Sequence, residues 1–348
     1  MEKIDILSLT LSELEKEIEL LGEKKFRAKQ IFQWLHVKKI RSFDEMSNIS
    51  LELRTKLSVG FCLKSLNIAR KLESCIDNTV KYLYKLSDGC FIETVLMEYS
   101  HGLSLCVSTQ VGCKMGCRFC ASTIAGFERN LEPSEILLQL YETERDCKRK
   151  ISGIVLMGIG EPLDNFDNIL KFLKLVSAPE GNGLSLRHVT LSTCGIVPKI
   201  NELAELGLGL TLSVSLHCPD NEGRSEIMPV NRTYNIKELI CATKKYAEKT
   251  GRRVTYEYAV IDGVNGERED AQKLSALLRG INCHVNLIPV NSVKERNYKS
   301  SRESAYRFQK YLTDLGMNAT VRRTLGSDIE AACGQLRREA AEKSENKR

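Results

Sequence analysis

The 348-residue chain is 42% hydrophobic, yet it has no uninterrupted apolar run of the ~18 residues that a membrane-spanning helix needs. That balance fits one large core with a small accessory domain. The N-terminus, Met1-Glu2-Lys3-Ile4-Asp5-Ile6, has no apolar signal-peptide core. Thirteen cysteines in a long chain without such a leader do not read as a disulfide scaffold. They suit a reducing cytoplasm, where the protein is expected. No solenoid-type repeat occurs. A strong charge excess is missing too: the net charge of +6 is, by itself, weak support for a nucleic-acid partner.

What is present is a tight cysteine run, Cys113-Lys114-Met115-Gly116-Cys117-Arg118-Phe119-Cys120, with the spacing C-x3-C-x2-C. Three thiolates on one loop can hold three corners of a cubane [4Fe-4S] cluster and leave the fourth iron open to a small molecule. Electron-transfer clusters use four cysteines. A closed zinc site is the competing reading. It needs a fourth Cys or His, usually as two spaced pairs. The next cysteine, Cys147, sits in a charged stretch, and no second C-x2-C exists. Scattered buried thiols do not explain the clustering.

Gly158-Ile159-Gly160-Glu161-Pro162 follows a β-rich run. Two glycines let a ligand approach the backbone, and Glu161 adds a carboxylate. The dinucleotide fingerprint G-x-G-x-x-G fails at Leu163. A plain strand-to-helix turn stays open as a reading.

The organisation is α/β. Residues 1–78 read as a small helical domain: Thr10 to Glu13 resembles a capping box, and Leu11, Leu14, Ile18 and Leu21 follow at helical spacing. Ala28, Ile31, Phe32 and Leu35 form a second apolar stripe, and Ser50 caps a third helix. Lys24, Lys25, Arg27, Lys29, Lys38, Lys39 and Arg41, interleaved with Phe26, Phe32 and Trp34, read either as a solvated helix face or as phosphate contacts. Two β-rich runs around Asp88-Gly89 give a hairpin extension over 79–102. From 103 to 336 strands expected at 103–108, 151–157, 188–192, 210–217, 254–261, 283–289 and 319–323 alternate with helices, which predicts a mainly parallel sheet with its ligands at the C-terminal strand ends. A charged, frayed tail is expected over 337–348.

The three-cysteine loop and the Gly-Glu-Pro turn on an α/β scaffold resemble radical S-adenosylmethionine enzymes. A longer series makes the resemblance closer. Gln110 to Cys113, Phe119 to Thr123, Arg129 to Leu131, Gly160 to Asn165, Leu191 to Pro198, Val214 to His217, Met228 to Asn231, Val285 to Pro289 and Ala331 to Leu336 run in order. Together they resemble the RlmN/Cfr family of RNA adenine methyltransferases over nearly the whole chain. The implied fold is a partial (β/α) radical-SAM barrel.

The resemblance implies cluster ligation by Cys113, Cys117 and Cys120. It implies S-adenosylmethionine contacts from Gly160, Glu161, Ser192, Ser215, Leu216, His217 and Asn291. Taken one at a time, Ser192 and Ser215 read as strand-end turn residues and His217 as a satisfied core histidine. By the same resemblance Cys333 accepts a methyl group from one S-adenosylmethionine. A radical made from a second molecule activates that methyl, which then bonds to the adenine ring. Electron-poor C2 of adenine is not a nucleophile, so a radical route has a chemical reason. Glu93 matches the general base for the ring proton, and Cys106 the cysteine that forms a transient disulfide with Cys333. Without the resemblance, Glu93 reads as a hairpin surface residue and Cys106 as a buried thiol. Cysteines 62, 75, 90, 147, 194, 218, 241 and 283 read as structural.

The implied partners are 23S rRNA, a tRNA, and a flavodoxin or ferredoxin as electron donor, with a monomeric enzyme. Arg322 and Arg323 are candidate phosphate contacts. Cys120-Ala121-Ser122-Thr123 and Gly160-Glu161-Pro162-Leu163 are similar to the C2-methylating branch. The C8-methylating Cfr branch has Ala-Thr-Gly after the third cysteine and Glu-Ala in the turn. An alternative of another class is a non-catalytic metal-containing RNA-binding protein, which needs neither Cys333 nor Cys106.

Overall fold

The computed structural model describes residues 3–289, 300–329 and 331. Helices α1 (Leu11–Leu20), α2 (Phe26–His36) and α3 (Leu51–Gly60) open the chain. The capping box forms as its spacing predicts: Thr10 N–H donates to Glu13 Oε2 at 2.8 Å. Ser50 Oγ accepts from Leu53 N–H at 3.3 Å, capping α3. A short parallel pair, β1 (Ile4–Asp5) with β2 (Phe61–Cys62), joins the two ends of this unit.

Residues 1–78 are not helical throughout. β3 (Asn67–Glu73) is a strand at the outer edge of the sheet. Almost all of its residues are exposed, so it lacks the apolar alternation that marks a half-buried strand. β4 (Val80–Lys85) and β5 (Phe91–Tyr99) form the expected hairpin, and β6 (Gly102–Cys106) pairs antiparallel with β5. The cysteine loop is framed by β7 (Gln110–Gly112) and β8 (Phe127–Asn130), which pair antiparallel.

Beyond the loop come β9 (Gly153–Leu156), β10 (Val189–Thr193), β11 (Thr211–Ser215), β12 (Val254–Val260), β13 (Cys283–Pro289) and β14 (Ala319–Val321). All six are parallel to β6. Helices α4 (Pro133–Cys147), α5 (Phe166–Ser177), α6 (Val197–Glu205), α7 (Asn221–Ile227), α8 (Ile236–Thr250), α9 (Arg268–Leu277) and α10 (Arg302–Asp314) make the crossovers. The result is one ten-stranded sheet in the order β14-β13-β12-β11-β10-β9-β6-β5-β4-β3. The hairpin therefore continues the parallel sheet.

Side chains from β5, β6 and β10 to β13 line a single cavity, which a flat sheet could not bring together. The sheet is curled into a partial barrel, as the α/β alternation and the resemblance imply. One buried apolar cluster runs from α1–α3 into the sheet. His36 Nδ1, 3.0 Å from Tyr141 Oη, and Ser134 N–H, donating to Ser8 Oγ at 3.1 Å, fix the N-terminal helices on α4. Among the described residues no helix is long and apolar enough to cross a membrane. The tail at 337–348 lies outside them.

Candidate active site

The three-cysteine run is the loop of a small hairpin. β7 and β8 close its base, and Cys113 N–H donates to Gly126 O at 3.1 Å across it. Its tip is tied to α7 by Arg118 N–H, which donates to Ile227 O at 2.9 Å. All three thiols line the cavity, whose volume is ≈ 380 Å³. Cys113 and Cys117 are buried and Cys120 is half-buried. Burial pushes the Cys113 thiol up to about 12. The Cys117 thiol is pushed up by burial first, then by repulsion from Cys120 and Cys113. Three sulfurs crowded into an apolar wall call for cationic metal to hold them as thiolates, and this donor set fits three irons of a cubane. Among the described residues no three His, Cys, Asp or Glu side chains converge on one ion. A cubane asks instead for one thiol on each of three irons.

Opposite the loop stands the turn after β9. Its glycines have a different reason from the one read in the sequence. A Cβ on Gly158 would lie 2.5 Å from Val107 O, and one on Gly160 would lie 2.6 Å from Gln110 Cβ. Neighbouring protein fills that space, although both glycines still line the cavity. Gln110 joins the two halves of the site. Its Oε1 accepts from Glu161 N–H, while its Nε2 donates to Asn130 Oδ1 and Asp164 Oδ2, all at 2.8 Å. Gly160 also has φ near +110°, a region that is open essentially only to glycine. Gly160→Ala is therefore expected to lose ~2–4 kcal/mol of stability, well beyond Gly183→Ala, where φ is +66° and the space is open. Thermal melts of the two variants check this.

Glu161 is buried, and its carboxylate accepts from Cys194 N–H at 2.7 Å and Leu163 N–H at 3.0 Å. Burial pushes its pKa up against those bonds. The Thr193 hydroxyl and the Cys194 thiol hydrogen-bond it as well, so a cationic ligand here would share or displace one of those side-chain bonds. His217 is buried with φ near +60°, and its Nδ1 accepts from Ala259 N–H at 2.9 Å. Burial lowers its pKa to about 3. The ring is thus neutral with Nε2 protonated, and it packs edge-on to Phe119. The satisfied-histidine reading holds for Nδ1, while the residue also lines the cavity.

Ser192 and Ser215 line the cavity as well. Leu216 does not: its side chain lies in the main core, its N–H donates to Glu257 O, and its carbonyl accepts from Arg224 Nε and Cys218 N–H. No polar group of Leu216 is left to contact a ligand. Asn291 and Cys333 lie outside the described residues. Ala331, two positions before Cys333, lines the cavity and packs in an apolar group with Val95, Met97 and Cys106.

Glu93 and Cys106 stand on neighbouring strands, and both are buried at the cavity wall. Glu93 is not the surface residue that a hairpin position suggests. Its Oε2 lies 3.0 Å from Lys81 Nζ, and this pair is buried on both sides. The Cys106 thiol is pushed up to about 11 by burial.

Sequence reading missed three ionisable groups. Lys81 is the partner of Glu93. Glu257, on β12, accepts from Ser213 Oγ at 2.7 Å and Asn286 Nδ2 at 2.9 Å and faces the cavity. Its signal was a carboxylate inside Val-Thr-Tyr-Glu-Tyr-Ala-Val, an otherwise apolar strand. Arg224 is fully buried beneath the cysteine loop. Arg322 and Arg323 line the cavity, and Arg322 acts on both Glu257 and Cys106, an inward placement for a residue read as a phosphate contact. The basic N-terminal stretch is partly spent within the fold. Lys39 and Arg41 pair with Glu144 and Glu142 of α4, and Lys25 pairs with Glu15. Phe32 is core, Trp34 Nε1 donates to Asn48 Oδ1, and Phe26 is exposed.

Residues 4–63 match the ribosomal RNA large subunit methyltransferase N-terminal domain, and residues 107–274 match the radical SAM superfamily. A probable dual-specificity RNA methyltransferase RlmN of Lachnoclostridium phytofermentans is 53% identical over 344 residues, covering 99% of this chain and 97% of that protein. The counterpart in Bacillus cereus is 48% identical, with 100% and 96% covered. The crystal structure of a radical SAM methyltransferase from Sphaerobacter thermophilus has a TM-score of 0.91 and 40% identity, over 95% of this chain and 98% of that one. Similarity of this degree runs through the helical unit, the cysteine loop and the barrel alike. The chain belongs to the RlmN family of radical SAM methyltransferases, enzymes that use a [4Fe-4S] cluster and S-adenosylmethionine.

Proposed function

We propose that this enzyme methylates C2 of an adenine in 23S rRNA, and of a tRNA adenine, through a methyl group carried on Cys333, and that it does so in the cytoplasm. One observation carries the reading: the cysteine loop, Glu161, Glu93 and Cys106 face a single cavity, and the chain meets that cavity's wall at Ala331. A merely RNA-binding protein has no use for that convergence.

Cys113, Cys117 and Cys120 hold the cluster, which when bound supplies the electron that cleaves S-adenosylmethionine. Glu161 takes the ammonium end of S-adenosylmethionine, with Ser192, Ser215 and Asn291 around the remainder. Glu93, held by Lys81, accepts the C2 proton. The Cys106 thiolate attacks the Cys333 sulfur: the S–S bond forms as the Cys333 S–C bond breaks, the bonding pair leaves with the carbon on C2, a proton completes the methyl group, and a thiol reductant reopens the disulfide for the next turnover. The walls from β5 and β6 are apolar apart from these groups, which keeps water from the reacting carbon.

The target base has to leave its stack to reach such a cavity. Lys24, Lys29 and Lys38, with exposed Phe26, form the face offered to RNA phosphate and base, so affinity falls steeply with salt. A flavodoxin or ferredoxin serves as electron donor to a monomer.

The test is anaerobic. Loaded enzyme, S-adenosylmethionine, reductant and unmethylated 23S rRNA are combined, and the digested RNA is analysed by mass spectrometry. 2-Methyladenosine is expected. 8-Methyladenosine would overturn the regiochemistry, and cleavage of S-adenosylmethionine without either product would overturn the substrate.

A further inference from the structure

Arg224 is among the largest fully buried side chains of the protein. Its guanidinium donates to four oxygens: Cys194 O at 2.6 Å, Asn231 Oδ1 at 2.8 Å, Ser215 O at 3.1 Å and Leu216 O at 3.2 Å. Every one of them is neutral. Among the described residues no carboxylate pairs with it. The ionisable groups around it are the thiols Cys194, Cys117 and Cys218 and the neutral ring of His217, and burial lowers its pKa only to about 10, so it stays charged. A buried charge without a counter-charge is costly, and proteins rarely keep one.

The place of Arg224 suggests what the counter-charge is. It lies on α7, the helix whose Ile227 carbonyl holds the tip of the cysteine loop. Cys117 packs in one apolar group with Cys194, Cys218, Ile227 and Met228, directly against that helix. Gly195 leaves room for the guanidinium: a Cβ there would come within 3.3 Å of Arg224 Nη2. A 2+ cubane core on three thiolates carries a net charge of about −1, and about −2 after one-electron reduction.

We propose that Arg224 is the built-in counter-charge of the cluster, and that it makes one-electron reduction of that cluster easier by opposing the added negative charge. The electron comes from an external donor, the cluster goes from the 2+ to the 1+ state, and Arg224 exchanges neither electron nor proton. It acts through its charge in a low-dielectric wall, where such an interaction is far stronger than in water. The inference rests on the assignment of the cluster to Cys113, Cys117 and Cys120.

Two variants test it without relying on turnover. Arg224→Gln removes the charge. Asn231→Asp keeps the arginine and all its donors but sets a carboxylate on Nη1, neutralising the charge in place. The Asn231 amide also gives up its bonds from Nδ2 to Ser225 Oγ, Asn221 O and Asn221 Oδ1; only the Ser225 hydroxyl can turn to donate instead, so a thermal melt and the iron content of this variant are measured before its titration. Anaerobically loaded proteins are titrated with dithionite, without S-adenosylmethionine, and the reduced cluster is followed by electron paramagnetic resonance. Both variants are expected to lower the equilibrium constant for reduction about tenfold, which is ~59 mV for a one-electron couple. Arg224→Lys is expected to stay close to the parent. A folded, loaded Asn231→Asp or Arg224→Gln protein with the parent potential would overturn the proposal. Failure of the underlying assignment looks different: the Cys113→Ala/Cys117→Ala/Cys120→Ala protein would still load a cluster.

Discussion

Cys117→Ala is expected to give a folded protein that holds no stable cluster, cleaves no S-adenosylmethionine and forms no methyladenosine. The fold does not depend on this sulfur. Backbone pairing of β7 with β8 and the bond from Arg118 N–H to Ile227 O shape the loop. Losing one buried sulfur from the apolar group around Cys117 costs about 1 kcal/mol, too little to unfold a domain. On the proposed ligand set the chemistry does depend on it, because two thiols hold only two corners of a cubane. Cys194→Ala and Cys218→Ala are the comparison: both thiols sit in the same apolar group but outside the loop, and both variants are expected to keep the cluster. Absorption spectra, iron content and thermal melts separate loss of metal from loss of fold. A fully loaded Cys117→Ala protein would remove Cys117 from the ligand set.

The features that could be read from the sequence are those whose partners are near in sequence. The cysteine loop and the Gly-Glu-Pro turn depend on local spacing, and the α/β alternation depends on local periodicity. Gln110, Asn130 and Asp164 fall within the motifs that carried the family resemblance, and the structure gives the reason: they are one hydrogen-bond network holding the loop to the turn. Pairings across distant elements left no local trace. Lys81 and Glu93 meet across β4 and β5, so each alone looks like an ordinary strand charge. Arg41 and Glu142 are a hundred residues apart, which is why the basic stretch looked freer than it is. Arg224 sits in Asn-Glu-Gly-Arg-Ser-Glu-Ile, a composition typical of a surface helix, and only packing shows it to be buried. β3 was hidden for the opposite reason: an exposed edge strand carries no apolar period.

Cys106→Ala is expected to convert the enzyme from a catalyst into a trap. On the proposed route the adenine becomes bonded to the carbon on Cys333, and Cys106 breaks that attachment by taking the Cys333 sulfur into a disulfide. Without Cys106 the bond persists, so protein and RNA should migrate together on a denaturing gel, and nuclease should shrink the band. Free 2-methyladenosine should fall below one equivalent per enzyme. The double variant Cys106→Ala/Cys333→Ala should give neither adduct nor product. Alanine at position 106 is easily housed among Val95, Met97, Val155 and Met157, at a cost of about 1 kcal/mol. Turnover of free product by Cys106→Ala would refute the release role. A pH series adds an independent check on the parent enzyme. Burial, with a smaller push from Glu93, holds the Cys106 thiol near 11 despite Arg322 beside it. The thiolate, the form that attacks sulfur, is therefore scarce at neutral pH and grows about tenfold per pH unit below that value. In single-turnover reactions the adduct should decay about tenfold faster for each unit between pH 7 and 9, because every added unit raises the fraction of Cys106 able to attack.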